Sequence, residues 1–213
     1  MIFWRGKVHG TVCAARMLPA SVSGEESIQI LGRACMRNVE LFIAMSLDGY
    51  IADSNGGVGW LAGQGEEGAP DVYAEFVKGI DTVVMGWNTY HQIVTELSPD
   101  EWVYDGFTTY VVTHRKQTSS DKIRFVEESP VELVQKLRQE SGKAIWICGG
   151  ADLIQQLVRE DQIDRYFITV IPTILGAGIR LFGNAGHEIK LKLLQTRAYD
   201  GMTDLIYTRR SED

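Results

Sequence analysis

Cysteine is scarce in this chain and badly placed for staples or metals. Cys13, Cys35 and Cys148 are an odd number without ligand spacing, so neither a disulfide framework nor a thiolate metal centre is expected. His9, His91, His114 and His187 are equally scattered, and no metal site is expected from them. No run approaches the ~18 consecutive apolar residues that a membrane helix needs. Basic charge is also short, with 21 Lys and Arg against 28 Asp and Glu and a formal net charge of -7. No basic stripe is available to meet a nucleic acid or an anionic membrane, which excludes those partners. A reducing cytoplasm is the expected setting and a small molecule the expected partner. A monomer and a homodimer both stay open.

What is present is a globular composition. Apolar residues make up 45% and charged residues 23% of 213 positions, enough for one domain with a core, or one domain plus an appendage. Residues 1–35 stand apart. They hold 4 of the 21 basic and 2 of the 28 acidic residues, so 36–213 carries 17 basic and 26 acidic ones, a net of -9. They show no sustained period of 2 or 3.6 and no apolar signal-peptide core. We expect a poorly structured extension over 1–35 and the folded domain over 36–213, opening at Met36.

From there strand and helix patterns alternate, as a sheet covered by helices requires. Val39 to Ser46 reads as the first strand, followed by a Gly-rich loop from Asp53 to Gly68. Asp71 to Gly79 predicts a helix on Val72, Phe76 and Ile80. Thr82 to Met85 predicts a strand, Trp87 to Leu97 a helix, and Phe107 to Thr113 a strand ending in His114-Arg115-Lys116. Ser129-Pro130-Val131-Glu132 combines an N-cap, a first-turn proline and a capping-box glutamate. Ala144 to Cys148 is a strand, running through Gly149-Gly150 into a helix that ends near Arg159. Arg165 to Ile171 is another strand. Ile189 to Ala198 and Met202 to Thr208 alternate around Asp200-Gly201, a hairpin signal.

Two segments invite chemistry. In Phe42 to Ala52 an apolar strand runs into the Asp48-Gly49 turn, and Ala44, Ser46 and Ala52 leave room for a flat group against the backbone. In Ile145 to Ala151 a strand ends on Gly149-Gly150 where a helix begins. Glycines there admit a diphosphate, and the helix N-terminus favours its charge; a tight structural turn would use glycine as well.

Together these segments resemble the dihydrofolate reductase-like superfamily, which includes the reductase domain of riboflavin biosynthesis. Gly86-Trp87-Asn88-Thr89 matches the family's Gly-Arg-x-Thr, with Trp87 replacing the arginine. Pro172 to Phe182 matches a Pro-x-x-x-Gly-x-Gly-x-x-Leu-Phe stretch of the riboflavin-type reductases, with Leu181 and Phe182 expected as core anchors. The resemblance implies an α/β fold with a mostly parallel central sheet, flanking helices and an antiparallel C-terminal hairpin. It implies hydride transfer from NADPH, with NADH also admitted, to a pterin-like or aminopyrimidine substrate; the alternative is a non-catalytic nucleotide-binding protein. Ala44, Ile51 and Ala52 are then the nicotinamide slot. Gly86, Trp87, Thr89, Thr113, Cys148, Gly149, Gly150 and Ala151 are the rest of the cofactor lining. Losing the arginine at Trp87 weakens the case for a 2′-phosphate, unless Arg115 and Lys116 compensate. The proton source implied is Asp71, half-buried beside Val72 and Phe76, with a helix cap as its plainer role; Glu75 and Glu66-Glu67 are nearby carboxylates.

Overall fold

The computed structural model describes residues 36–65 and 70–210. The expectations for residues 1–35 and for Glu66-Glu67 lie outside the described residues. The first strand, β1 (Val39–Ser46), is buried along most of its length and pairs in parallel with strands on both sides. That fits its near-continuous apolar run, which a strand covered on both faces requires.

The remaining elements follow in chain order: β2 (Tyr50–Ala52), α1 (Val72–Val77), β3 (Ile80–Gly86) and α2 (Trp87–Gln92). A π-helical turn over Ile93–Leu97 continues α2, so the helix expected to Leu97 changes its winding at Ile93. Next come β4 (Thr108–Val112), β5 (Ile123–Val126), α3 (Pro130–Arg138), β6 (Ala144–Gly149), α4 (Ala151–Arg159) and β7 (Arg165–Ile171). The chain ends with β8 (Ile179–Arg180), β9 (Leu191–Tyr199) and β10 (Met202–Arg209).

Eight strands form one sheet in the order β5-β4-β3-β6-β1-β7-β10-β9. Its pairs are parallel from β5 through β7, and β10 then runs antiparallel to both β7 and β9. Asp200 and Gly201 turn the β9–β10 hairpin with φ of 48° and 70°, the paired positive values a two-residue turn of this hand requires.

Strand alternation divides the core between two faces. Ile43 and Met45 of β1 pack with Leu133, Leu137, Ile154 and Leu157 on the face covered by α3 and α4. Phe42 points to the other face, with Phe76, Trp146 and Tyr104, under α1 and the π-helical turn. The α3 start is capped as expected: Ser129 Oγ accepts from Glu132 N at 3.2 Å, and Glu132 Oε2 accepts from Ser129 N at 3.2 Å.

Three features depart from the sequence reading. Strand β5 is not signalled by the sequence, because Ile123, Phe125 and Val126 sit in an otherwise polar stretch and form only a short edge strand beside β4. The loop before Leu181 contains β8, which pairs antiparallel with β2. Gly178 permits that approach, since a Cβ there would lie 2.2 Å from the Ala52 carbonyl oxygen. Leu181 is fully buried as expected, whereas Phe182 is 40% exposed and does not anchor the core. Among the described residues no helix is long and apolar enough to cross a membrane.

Candidate functional site

An open cleft of about 2360 Å³ runs along the carboxyl ends of β1, β3, β4 and β6. Open α/β sheets characteristically bind ligands there. Its two ends differ in chemistry.

At one end two strand-to-helix turns lie against each other. Gly86 precedes α2 and Gly150 precedes α4, and neither helix start is capped by a side chain. A Cβ on Gly150 would stand 3.3 Å from Thr89 Oγ1, and one on Gly149 would stand 3.4 Å from the same atom. Gly149 has φ of +137° and its peptide bond to Gly150 is cis. The uncapped first-turn N–H groups of α4, together with Thr89, make a cradle of donors that bulkier residues at 149 and 150 would fill. Thr113 closes β4 beside it: its backbone N–H donates to Val126 O at 2.8 Å, and its hydroxyl accepts from Arg115 N at 3.0 Å. The Arg115 guanidinium lies 5.1 Å from the centre of the Trp87 ring. Trp87, in the place of an arginine, thus serves as the platform on which an arginine from the loop after β4 rests. Lys116 is exposed and does not line the cleft.

The other end is apolar. Ala44, Ile51 and Ala52 border it, with Ala44 and Ala52 buried. Phe42, Tyr73, Tyr104 and Trp146 add an aromatic wall, with edge-to-face contacts of 5.9 Å for Tyr73–Trp146 and 5.2 Å for Tyr104–Trp146. Cys148 sits among them, 3.5 Å from the Tyr104 hydroxyl. Burial pushes the Cys148 thiol up to about 11, and burial likewise pushes the Tyr73 hydroxyl up to about 12. Burial also holds Tyr104 well above the usual phenol range. All three stay protonated at neutral pH and act as neutral hydrogen-bonding groups.

The twelve residues expected around a cofactor, from Ala44 to Ala151, all line this one cleft. Asp71 does not. It is exposed and outside the lining, and its carboxylate accepts from Ala74 N at 2.8 Å as the N-cap of α1. The half-buried position expected for it is corrected, because the helix opens one residue later and turns Asp71 outward to meet its own N–H groups. Glu75 is also exposed and is paired with Arg197 at 2.6 Å. The sequence reading missed the aromatic wall. Phe42 and Trp146 stand two residues before Ala44 and Cys148, so strand alternation carried a signal for them. Tyr104 lies in an irregular segment and had none.

The model of the RibD C-terminal domain matches residues 37–205. The chain belongs to the RibD C-terminal domain family. This member is 38% identical to the Bacillus subtilis (strain 168) uncharacterized protein YwjB over 179 residues, 81% of this chain and 98% of that one. It is 29% identical to YyaP of the same organism over 183 residues, 80% and 94% of the two chains. Among solved structures it is similar to a Shewanella sp. PV-4 protein named for riboflavin biosynthesis, with TM-score 0.72, 28% identity, and coverage of 82% and 99%. It shares its fold with a Thermotoga maritima diaminohydroxyphosphoribosylaminopyrimidine deaminase/5-amino-6-(5-phosphoribosylamino)uracil reductase, at TM-score 0.62 and 15% identity over 82% of this chain and 57% of that one. It also shares it with Enterococcus faecalis dihydrofolate reductase complexed with NADP(H), at TM-score 0.59 and 15% identity over 82% and 97%. The dihydrofolate reductase-like fold of this RibD C-terminal domain is thereby shown.

Proposed function

We propose that this RibD C-terminal domain is a nicotinamide-dependent reductase of a small ring substrate. The observation that carries the reading is the convergence of the donor cradle, a single arginine and an apolar aromatic slot in one cleft. The fold shared with a dihydrofolate reductase complexed with NADP(H) supports it.

The residues fit such a cofactor. The cradle of Gly149, Gly150 and the α4 N-terminus would take the diphosphate, and Thr89 would donate to it. Arg115, seated on Trp87, would meet the 2′-phosphate in place of the missing helix arginine, so NADPH is favoured over NADH. Ala44, Ile51 and Ala52 would flank the nicotinamide and keep water away from it. When bound, the nicotinamide supplies a hydride to an electrophilic ring carbon. Tyr73, Tyr104 and Cys148 offer neutral donors at the same end, and no described carboxylate is buried in that lining.

That last observation also favours a second reading, a nucleotide-binding protein without turnover. Calorimetric titration of the full chain with NADPH and with NADH tests both. Micromolar NADPH binding is expected; no heat from either nucleotide at millimolar concentration would remove the nicotinamide reading. Binding without oxidation of NADPH by any ring acceptor would leave the second one.

A further inference from the structure

Most of the elements that build the apolar end of the cleft contain no lysine or arginine. Residues 38–77 and 79–114 have none. These two stretches supply β1, the Gly-rich loop, α1, α2 and the segment that carries Tyr104. A third contributor, β6 (Ala144–Gly149), has none either. Strand β8 adds Ile179 to the lining and carries Arg180, but that guanidinium lies 4.7 Å from the centre of the Tyr50 ring and is outside the lining. Across the whole cleft lining, among the described residues, Arg115 is the sole Lys or Arg.

Arg115 belongs to the far end. From Trp87 beneath it, the rings of Tyr90, Trp102 and Tyr104 follow with successive centre separations of 5.6, 5.7 and 5.4 Å. The charges nearest to Tyr104 along the chain that also line the cleft are Glu96 and Glu101, both exposed and both negative. An anion placed against Phe42, Tyr73, Tyr104 and Trp146 therefore meets no lysine or arginine of the described lining at that end. It loses hydration against four aromatic faces, and the lining charges closest to Tyr104 in sequence are negative. Burying a charge under those conditions is unfavourable unless it is paired. A flat neutral ring suffers none of this. It gains apolar burial and ring contacts, and its heteroatoms can use the neutral hydroxyl and thiol donors.

We infer that the substrate of this cleft is a flat, uncharged heteroaromatic or quinonoid ring without a phosphate or carboxylate appendage. The inference rests on the reductase reading and narrows it. Both substrates the resemblance suggests, dihydrofolate with its glutamate and a phosphoribosylated aminouracil, carry anionic tails for which this end has no partner.

Matched pairs differing only in the anion test it by binding to the full chain, with and without saturating NADPH. Pterin against pterin-6-carboxylate is the first pair, and riboflavin against flavin mononucleotide the second. The neutral member of each pair is expected to bind at least ~10-fold more tightly, about 1.4 kcal/mol. Leu97→Arg, which sets a cation in the lining beside Tyr104's segment, is expected to shrink or reverse that ratio. Equal or tighter binding of the anionic members overturns the inference, as does failure of all four compounds to bind at millimolar concentration. An unchanged ratio in a folded Leu97→Arg protein overturns its electrostatic basis. The accompanying NADPH titration keeps the two claims apart: loss of nucleotide binding sinks the reductase reading, while the pair preference still decides the ring class.

Discussion

The two ends of the cleft are built by opposite means. The Gly86–Gly150 end uses backbone: uncapped helix starts, glycines that keep the space open, and one arginine held over an indole. The Phe42–Trp146 end uses side-chain surface, with rings from β1, α1, β6 and the 98–107 segment and, among the described residues, no lysine or arginine in its lining. The difference separates what is shared from what is selective. A backbone cradle suits any diphosphate-linked nucleotide, whereas a wall of large side chains discriminates by shape.

The strongest way to break this comparison is to fill the cradle. Gly150→Val adds branches where even a Cβ would approach Thr89 Oγ1 to 3.3 Å, and nucleotide affinity should fall roughly 100-fold, about 2.7 kcal/mol. Pterin binding at the other end should be unchanged, and a thermal melt should show the variant folded. Calorimetry with both ligands measures it, and equal losses for the two would mean the ends are not independent.

Removing the arginine sharpens the same division. Arg115→Ala should weaken NADPH by about 10- to 100-fold, in keeping with the loss of a charge-assisted hydrogen bond worth roughly 1.5–3 kcal/mol. NADH should be nearly unaffected. A similar loss for both would place Arg115 on the diphosphate rather than on the 2′-phosphate.

How much of this was legible follows the same line. Glycine pairs, a strand running into a helix, and a capping box are local patterns, so the cradle and α3 could be read from the sequence. The Trp87–Arg115 platform joins residues 28 positions apart on α2 and beyond β4. The sequence offered Arg115 as a substitute cation but not the indole beneath it. The aromatic wall depends on which face each strand shows and on the irregular path through Tyr104, which no period encodes. Asp71 went astray because a helix-start aspartate beside apolar neighbours looks the same whether it faces a cleft or its own N–H groups.

A buried carboxylate does exist beneath the aromatic end, and it separates structure from chemistry. Asp204 pairs in register with Thr169, which itself pairs with Ala44. Its Oδ1 accepts from Thr169 Oγ1 at 2.7 Å and from the Tyr199 hydroxyl at 3.0 Å, while its buried Oδ2 has no partner. Burial raises its pKa above the ordinary 3.8. Between the unfolded and folded values the native state holds the extra proton, so stability falls as pH rises through that window. Asp204→Asn should therefore raise the melting temperature at pH 7 by about 2–4 °C, the shift expected of ~1 kcal/mol in a domain of this size. The gain should vanish below pH 3.8. Unaltered ligand binding would mark the carboxylate as structural, and a lost pterin site would make it part of the aromatic end.

The smallest effect is expected at Asp71. Asn is as good an N-cap as Asp, so Asp71→Asn should melt within about 1 °C of the parent and leave both ligand affinities alone. Any NADPH oxidation by a ring acceptor should also continue at the parent rate. A fall of roughly 100-fold in that rate with binding intact, the size of effect general acid catalysis gives, would return Asp71 to the reaction.

Two of the five tryptophans make this molecule its own optical probe. Trp87 lies under Arg115 and 5.6 Å from the His91 ring, while the Trp146 N–H donates to Phe42 O at 3.1 Å behind the aromatic wall. Each end of the cleft thus carries a separate fluorophore in a distinct environment. In variants that keep one of them and replace the other tryptophans by phenylalanine, emission from position 87 should respond to a nucleotide and emission from position 146 to a flat ring. Stopped-flow mixing can then time the filling of each end separately and reveal whether one must be occupied before the other.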